Sequence, residues 1–172
     1  MPSAMKMASG DAALQAAVKR SRQLLHRRAL VAGAAGTLPV PGLDWAVDAA
    51  LLSRLIPLIN AQFGLSPEQL DTLDPSKREQ VQKAVALVGS MLIGKFITRD
   101  LVLRAASRLG VSLTTRQAAK FVPIAGQVVA GLLGYAAIRY LGEEHIKDCI
   151  RVARQAELEI PLLGYTPFPK LA

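Results

Sequence analysis

The sequence predicts an all-α protein, a single-domain helical bundle built around a central pair of Gly/Ala-rich apolar helices. Three observations predict it. Leu and Ala dominate, with Arg, Gln and Lys as further helix formers, and no alternation of apolar and polar positions runs long enough for a strand. Helix start and stop signals recur along the chain. With 172 residues, 51% hydrophobic and 20% charged, the chain can bury enough apolar surface to offset the entropy of ordering, which excludes a disordered or low-complexity protein.

The elements follow in order. Helices are expected over 10–33 and 42–63, the second closed by Gly64, which suits a left-handed C-cap. Ser66-Pro67-Glu68-Gln69 opens a helix over 67–73 with an N-cap serine, a proline at the first helical position and a capping-box glutamine. Asp74-Pro75 repeats the cap-plus-proline device and opens 75–109, with Val81, Val85, Val88 and Leu92 at helical spacing and a break expected near Gly89 or Gly94. Gly110 fits a second C-cap, and Thr114-Thr115-Arg116-Gln117 a second capping box for 114–121. The last helices are expected over 124–142 and 143–158. From Ile160 on, Pro161, Pro167 and Pro169 predict an irregular tail. The corresponding division is a basic helical extension over 1–24, a helical domain over 25–158 and the tail over 159–172.

Pro39-Val40-Pro41-Gly42 and Pro123-Ile124-Ala125-Gly126 each lead a long apolar helix. Aligned on those glycines, Gly42, Ala46 and Ala50 match Gly126, Ala130 and Gly134. A small residue at every fourth position makes a flat stripe that admits another backbone, so these two helices are expected to pack together. The longest uncharged runs, Ala29–Leu43 and Phe121–Ile138, sit in the same regions. Hydropathy fits the second equally to a short spanning helix and to the buried helix of a bundle. No secretory signal is recognisable, since the apolar run after the basic residues runs into Pro39 and Pro41 without a small-x-small cleavage site.

The net charge is +8, and five of the basic residues, Lys19, Arg20, Arg22, Arg27 and Arg28, lie within ten positions with no acid among them. A cationic cluster followed at once by an apolar stretch suits an anionic lipid surface, where each Lys or Arg contributes roughly 1 kcal/mol. A solvated helix face is the plainer reading. Nucleic acid is not the expected partner: the cluster has no interleaved aromatics, and no helix-turn-helix, zinc-finger or RNP pattern occurs.

Candidate chemistry is sparse. Gly89-Ser90-Met91-Leu92-Ile93-Gly94-Lys95-Phe96 matches a phosphate loop through the lysine, but Phe96 lacks the metal-holding hydroxyl and the flanks carry helical spacing. Asp44 and Asp48 share a helix face beside Trp45. They read as a first-turn carboxylate and an ion-pair partner, or as functional carboxylates if the helix lies in a membrane. His145 and Cys149 also lie four apart, yet two ligands make no zinc site and nothing marks a base or an oxyanion hole for a nucleophile. The single cysteine excludes an intrachain disulfide. No cofactor, no metal and no enzymatic activity are expected.

Lys120-Phe121-Val122-Pro123-Ile124-Ala125-Gly126, with the Gly/Ala-rich helix running to Tyr140-Leu141-Gly142, resembles the GTPase-associated helical domain of the YcjF-type bacterial family. Pro39-Val40-Pro41-Gly42-Leu43-Asp44 and Phe63-Gly64-Leu65 fit the same pattern, which also resembles the helical domain of the immunity-related GTPases. The likeness covers about residues 25–155. It implies an all-α architecture, association with a membrane and a GTPase partner, with no catalytic residue to carry over and any nucleotide hydrolysis left to the partner. The expectation is therefore a non-enzymatic, membrane-associated helical protein at a bacterial inner membrane or its cytoplasmic face. The alternative is a cytoplasmic adaptor or immunity-type effector whose basic face binds an acidic protein.

Overall fold

The computed structural model describes residues 3–36, 43–90, 93 and 125–161. Within the helices, the side chains of 35–36, 43–49, 125–131, 133–134 and 137 lie outside that description. The described residues are mostly helical and contain no strand. In chain order the helices are α1 (Ala4–Met7), α2 (Ala12–Gly36), α3 (Leu43–Gln62), α4 (Pro67–Asp71), α5 (Pro75–Val88) and α6 (Ala125–Gln155).

Local chemistry sets most helix ends. Asp11 Oδ1 accepts the Leu14 N–H at 2.9 Å and opens α2. Ser66 and Gln69 form the reciprocal capping box at the start of α4. Asp74 Oδ1 accepts the Lys77 N–H at 2.9 Å at the start of α5. Gly89, at φ 71°, closes α5 in the left-handed region that favours glycine. The break expected near Gly89 or Gly94 thus falls at Gly89, and the phosphate-loop-like stretch begins as a helix C-cap following a helix; residues 94–109 lie outside the described residues. The second capping box at Thr114 and the cap at Gly110 lie outside the described residues.

One expectation is corrected. A break between 142 and 143 does not occur, because α6 runs through Gly142 without interruption. That glycine serves close packing: a Cβ there would collide with Leu25 Cδ1 and lie 2.8 Å from Leu25 Cδ2. Among the described residues, α2 makes the two broadest interfaces, with α6 and with α3. Leu14, Ala17, Val18, Ser21, Leu25, Ala29 and Ala32 form its continuous buried stripe at helical spacing. Of the small residues expected to join α3 and α6, Ala50 is exposed. Gly42 lies outside the described residues, as do the side-chain positions of Ala46, Gly126, Ala130 and Gly134. The boundary drawn at residue 24 falls inside α2, where Val18 and Leu25 belong to one core cluster.

Around α2 the core is filled by Leu55, Ile56, Ile59 and Phe63 of the α3 segment and by Ile138, Ile146 and Ile150 of α6. Each fully buried large side chain of this kind contributes about 1.5–3 kcal/mol. Helices α2 and α6 run antiparallel, as Arg22 meets Glu143, Leu25 meets Gly142 and His26 meets Tyr135. Gly→Ala in a helix interior ordinarily gains about 1 kcal/mol. Gly142→Ala is expected to lose about 1 kcal/mol instead, since buried Leu25 must be displaced from close packing. Urea unfolding of the two proteins checks the sign, and a stabilised variant would contradict the packing described.

Candidate functional site

The basic cluster on α2 divides into two groups by the partners within reach. Arg20 and Arg22 turn toward the fold. Arg20 donates from Nε to Gln62 Oε1 at 2.7 Å and from Nη2 to the Pro161 carbonyl at 2.9 Å, tying α2 to the end of α3 and to the exit of the chain. Arg22 forms a bidentate pair with Glu143, its Nε lying 3.0 Å from Oε2 and its Nη2 on Oε1. Glu143 also accepts the Ala4 N–H at 3.3 Å, so one carboxylate joins α1, α2 and α6. Burial pushes that carboxyl up, yet hydrogen bonding to Arg22, its charge and the Ala4 N–H hold it below its ordinary value.

The second group faces out. Lys19 and Arg27 are exposed and Arg28 is half-buried. Reading outward along α2, the exposed positions are Lys19, Gln23, His26, Arg27, Leu30, Val31 and Ala34, so the stripe passes from basic to apolar toward the C-terminal end. Asp44 and Asp48 lie on α3, with side chains outside the described residues, so the carboxylate reading is not placed.

His145 and Cys149 do share a face, and the face points inward onto a residue that spacing alone misses. His145 Nε2 lies 2.8 Å from Asn60 Oδ1, and Cys149 Sγ lies 3.6 Å from both. All three are buried. The neutral ring donates from Nε2 to the Asn60 carbonyl, which leaves Nδ1 as an acceptor with no partner among the described residues. Burial drives the His145 pKa down to about 3 and pushes the Cys149 thiol well up. A Cys–His–Asn set can support nucleophilic chemistry, but only with a thiolate and an opening for substrate. Here the thiol stays protonated at neutral pH and the set is sealed, so it works as a polar lock between α3 and α6. Among the described residues no group of three or more His, Cys, Asp or Glu side chains could hold a metal.

One groove of about 330 Å³ lies along α4 and α5, lined by Pro67, Leu70, Val81, Val85 and Ile93 with Arg78 at its edge. Arg78 Nε donates to the Leu70 carbonyl at 3.2 Å and Nη2 to the Asp71 carbonyl at 2.7 Å, so its charge caps the last turn of α4. The groove thus offers mainly apolar walls, with Asp71 and Gln82 also in its lining.

Comparison with known proteins finds similarity to GTPases of immunity. The chain is 30% identical over 128 residues to bovine interferon-inducible GTPase 5, covering 73% of this chain and 27% of that protein. It is 30% identical over 133 residues to the rat interferon-inducible GTPase 5, covering 74% and 28%. The chain therefore spans about a quarter of the length of the curated relatives it matches. No family model and no solved structure matches it. The likeness to the immunity-related GTPases thus gains support from sequence, while the YcjF-type likeness does not.

The polar lock has a consequence for acid stability. A histidine held near pKa 3 in the fold takes up a proton only when unfolded, where its pKa is about 6.5. Stability from this residue is therefore complete above pH 6.5 and falls as the pH drops toward 3, by about 2 kcal/mol at pH 5. Urea midpoints at pH 7 and pH 5 measure the loss, and His145→Leu is expected to remove most of it. An equal loss in that variant would assign the acid sensitivity to other groups.

Proposed function

We propose that this chain is a non-enzymatic helical module that serves a GTPase and docks peripherally on an anionic membrane surface. The observation that supports the docking is the sorting of the basic cluster, with Lys19 and Arg27 exposed, Arg28 half-buried beside them, and no acid between Lys19 and Gly36. The similarity to interferon-inducible GTPases supports the GTPase association. Docking is peripheral in this reading: among the described residues no helix is long and apolar enough to cross a membrane. Its place in the cell is then the cytoplasmic face of a membrane. An acidic protein surface is the alternative target for the same cations.

The two groups of basic residues separate the proposal from a purely structural role. Replacing Lys19, Arg27 and Arg28 together with Gln is expected to lower partitioning to phosphatidylserine vesicles by about a hundredfold at low salt, at roughly 1 kcal/mol per charge. The melting temperature should hold. Arg22→Gln is expected to do the reverse, costing about 1–2 kcal/mol of stability by orphaning Glu143 while the folded protein still floats. Flotation unchanged in the triple variant would overturn the docking role. The chain alone should release no phosphate from GTP, and turnover would contradict the non-enzymatic reading.

A further inference from the structure

The apolar half of the α2 stripe is unexplained by electrostatic docking. Leu30 is 54% exposed and Val31 51%, directly beyond Arg27 and Arg28. On α6, Leu132 is 63% exposed and Tyr140 49%, with Ala136 exposed between them, so positions four apart form a second open apolar stripe. The antiparallel register brings the two to one end of the bundle. His26 meets Tyr135 edge-on, with ring centroids 6.3 Å apart. Leu30 lies four residues beyond that contact on α2, and Leu132 three residues beyond it in the same direction on α6, about 6 Å and about 4.5 Å further along.

Charge indicates what covers this end. On α2 from His26 to Gly36, and on α6 from Ala125 to Leu141, every charged residue is basic: Arg27, Arg28 and Arg139. Side chains of large apolar residues beside cations with no acid are complementary to a bilayer interface, whose headgroups are anionic and whose next layer is hydrocarbon.

Building on the docking reading, we propose that Leu30, Val31 and Leu132 insert into the acyl boundary of an anionic bilayer while Arg27, Arg28 and Arg139 remain at headgroup level. Binding then has two parts. The electrostatic part is screened by salt, and the inserted part is not. The protein should keep a salt-resistant fraction of its vesicle binding.

The test uses the full chain with vesicles of phosphatidylserine and phosphatidylcholine, floated at low and high salt. The triple variant Leu30→Ser, Val31→Ser, Leu132→Ser is compared with the triple Gln variant of the three basic residues. The Ser variant is expected to lose the salt-resistant fraction, a drop of about tenfold or more in partitioning, with its helical signal intact. The Gln variant should lose mainly the low-salt excess. A second readout does not depend on that triple variant. Because Cys149 is buried, Leu132→Cys gives one reactive thiol for an environment-sensitive fluorophore. Blue-shifted emission, quenched by lipids brominated in the acyl chain, is expected on vesicle addition.

Normal binding by the Ser variant with loss in the Gln variant would overturn insertion and leave surface docking standing. No flotation of the wild-type protein would overturn both. A Ser variant that floats normally but sediments as a smaller species would assign the stripe to a second copy of the chain, and insertion would again fall.

Discussion

The close approach of α2 and α6 at Leu25 and Gly142 governs the rest of the structure. A Cβ at 142 would collide with the buried Leu25 side chain, so its absence lets α6 pack closely on α2 at this point. Beside that contact Arg22 falls opposite Glu143, and the bidentate pair reaches on to the Ala4 N–H and holds the N-terminal turn. Asn60 meets His145 on the neighbouring side of α6, tying α3 to the same helix. These polar pairs all lie within the same stretch of α6 as the close contact at Gly142.

The same packing also divides the cationic residues of α2. The helical period alone does not make this division, since Arg20 and Arg27 lie seven residues apart on one face of α2; the partners on the neighbouring elements make it. Arg20 and Arg22 become part of the fold because Gln62, Pro161 and Glu143 lie within reach. Lys19 and Arg27 remain exposed, with Arg28 half-buried beside them, and the same outward stripe continues into Leu30 and Val31. A surface that is basic at one end and aliphatic at the other matches the layered chemistry of a lipid interface better than that of bulk water.

Much of the fold was legible in the sequence where the deciding chemistry is local. Ser66 with Gln69, Asp74 with Pro75, and Gly89 with its positive φ act within a turn of themselves, and each cap stands where its residues predict. What escaped the sequence depends on distant partners. Gly142 reads as a stop because glycine is a poor helix former, and only Leu25 from another helix shows it to be a contact point. The four-residue α1 is too short for a periodic signal. Arg22 looks like any member of a basic run until Glu143, 121 residues later, claims it. His145 and Cys149 were visible as a pair, but Asn60 lies 85 residues away from His145 and carried no signal beyond its place among apolar neighbours.

The central claim is that the outward stripe of α2 meets the membrane while the opposite end of the bundle stays in water. Single spin labels on introduced cysteines test it directly, since Cys149 is buried and leaves each new thiol unique. Labels at Gln23 and Ala34 on the exposed stripe should lose access to a water-soluble relaxation agent when anionic vesicles are added. Labels at Gln80 and Gln155, also exposed, should keep theirs. Equal protection at all four positions, or protection at Gln80 and Gln155 alone, would contradict the account.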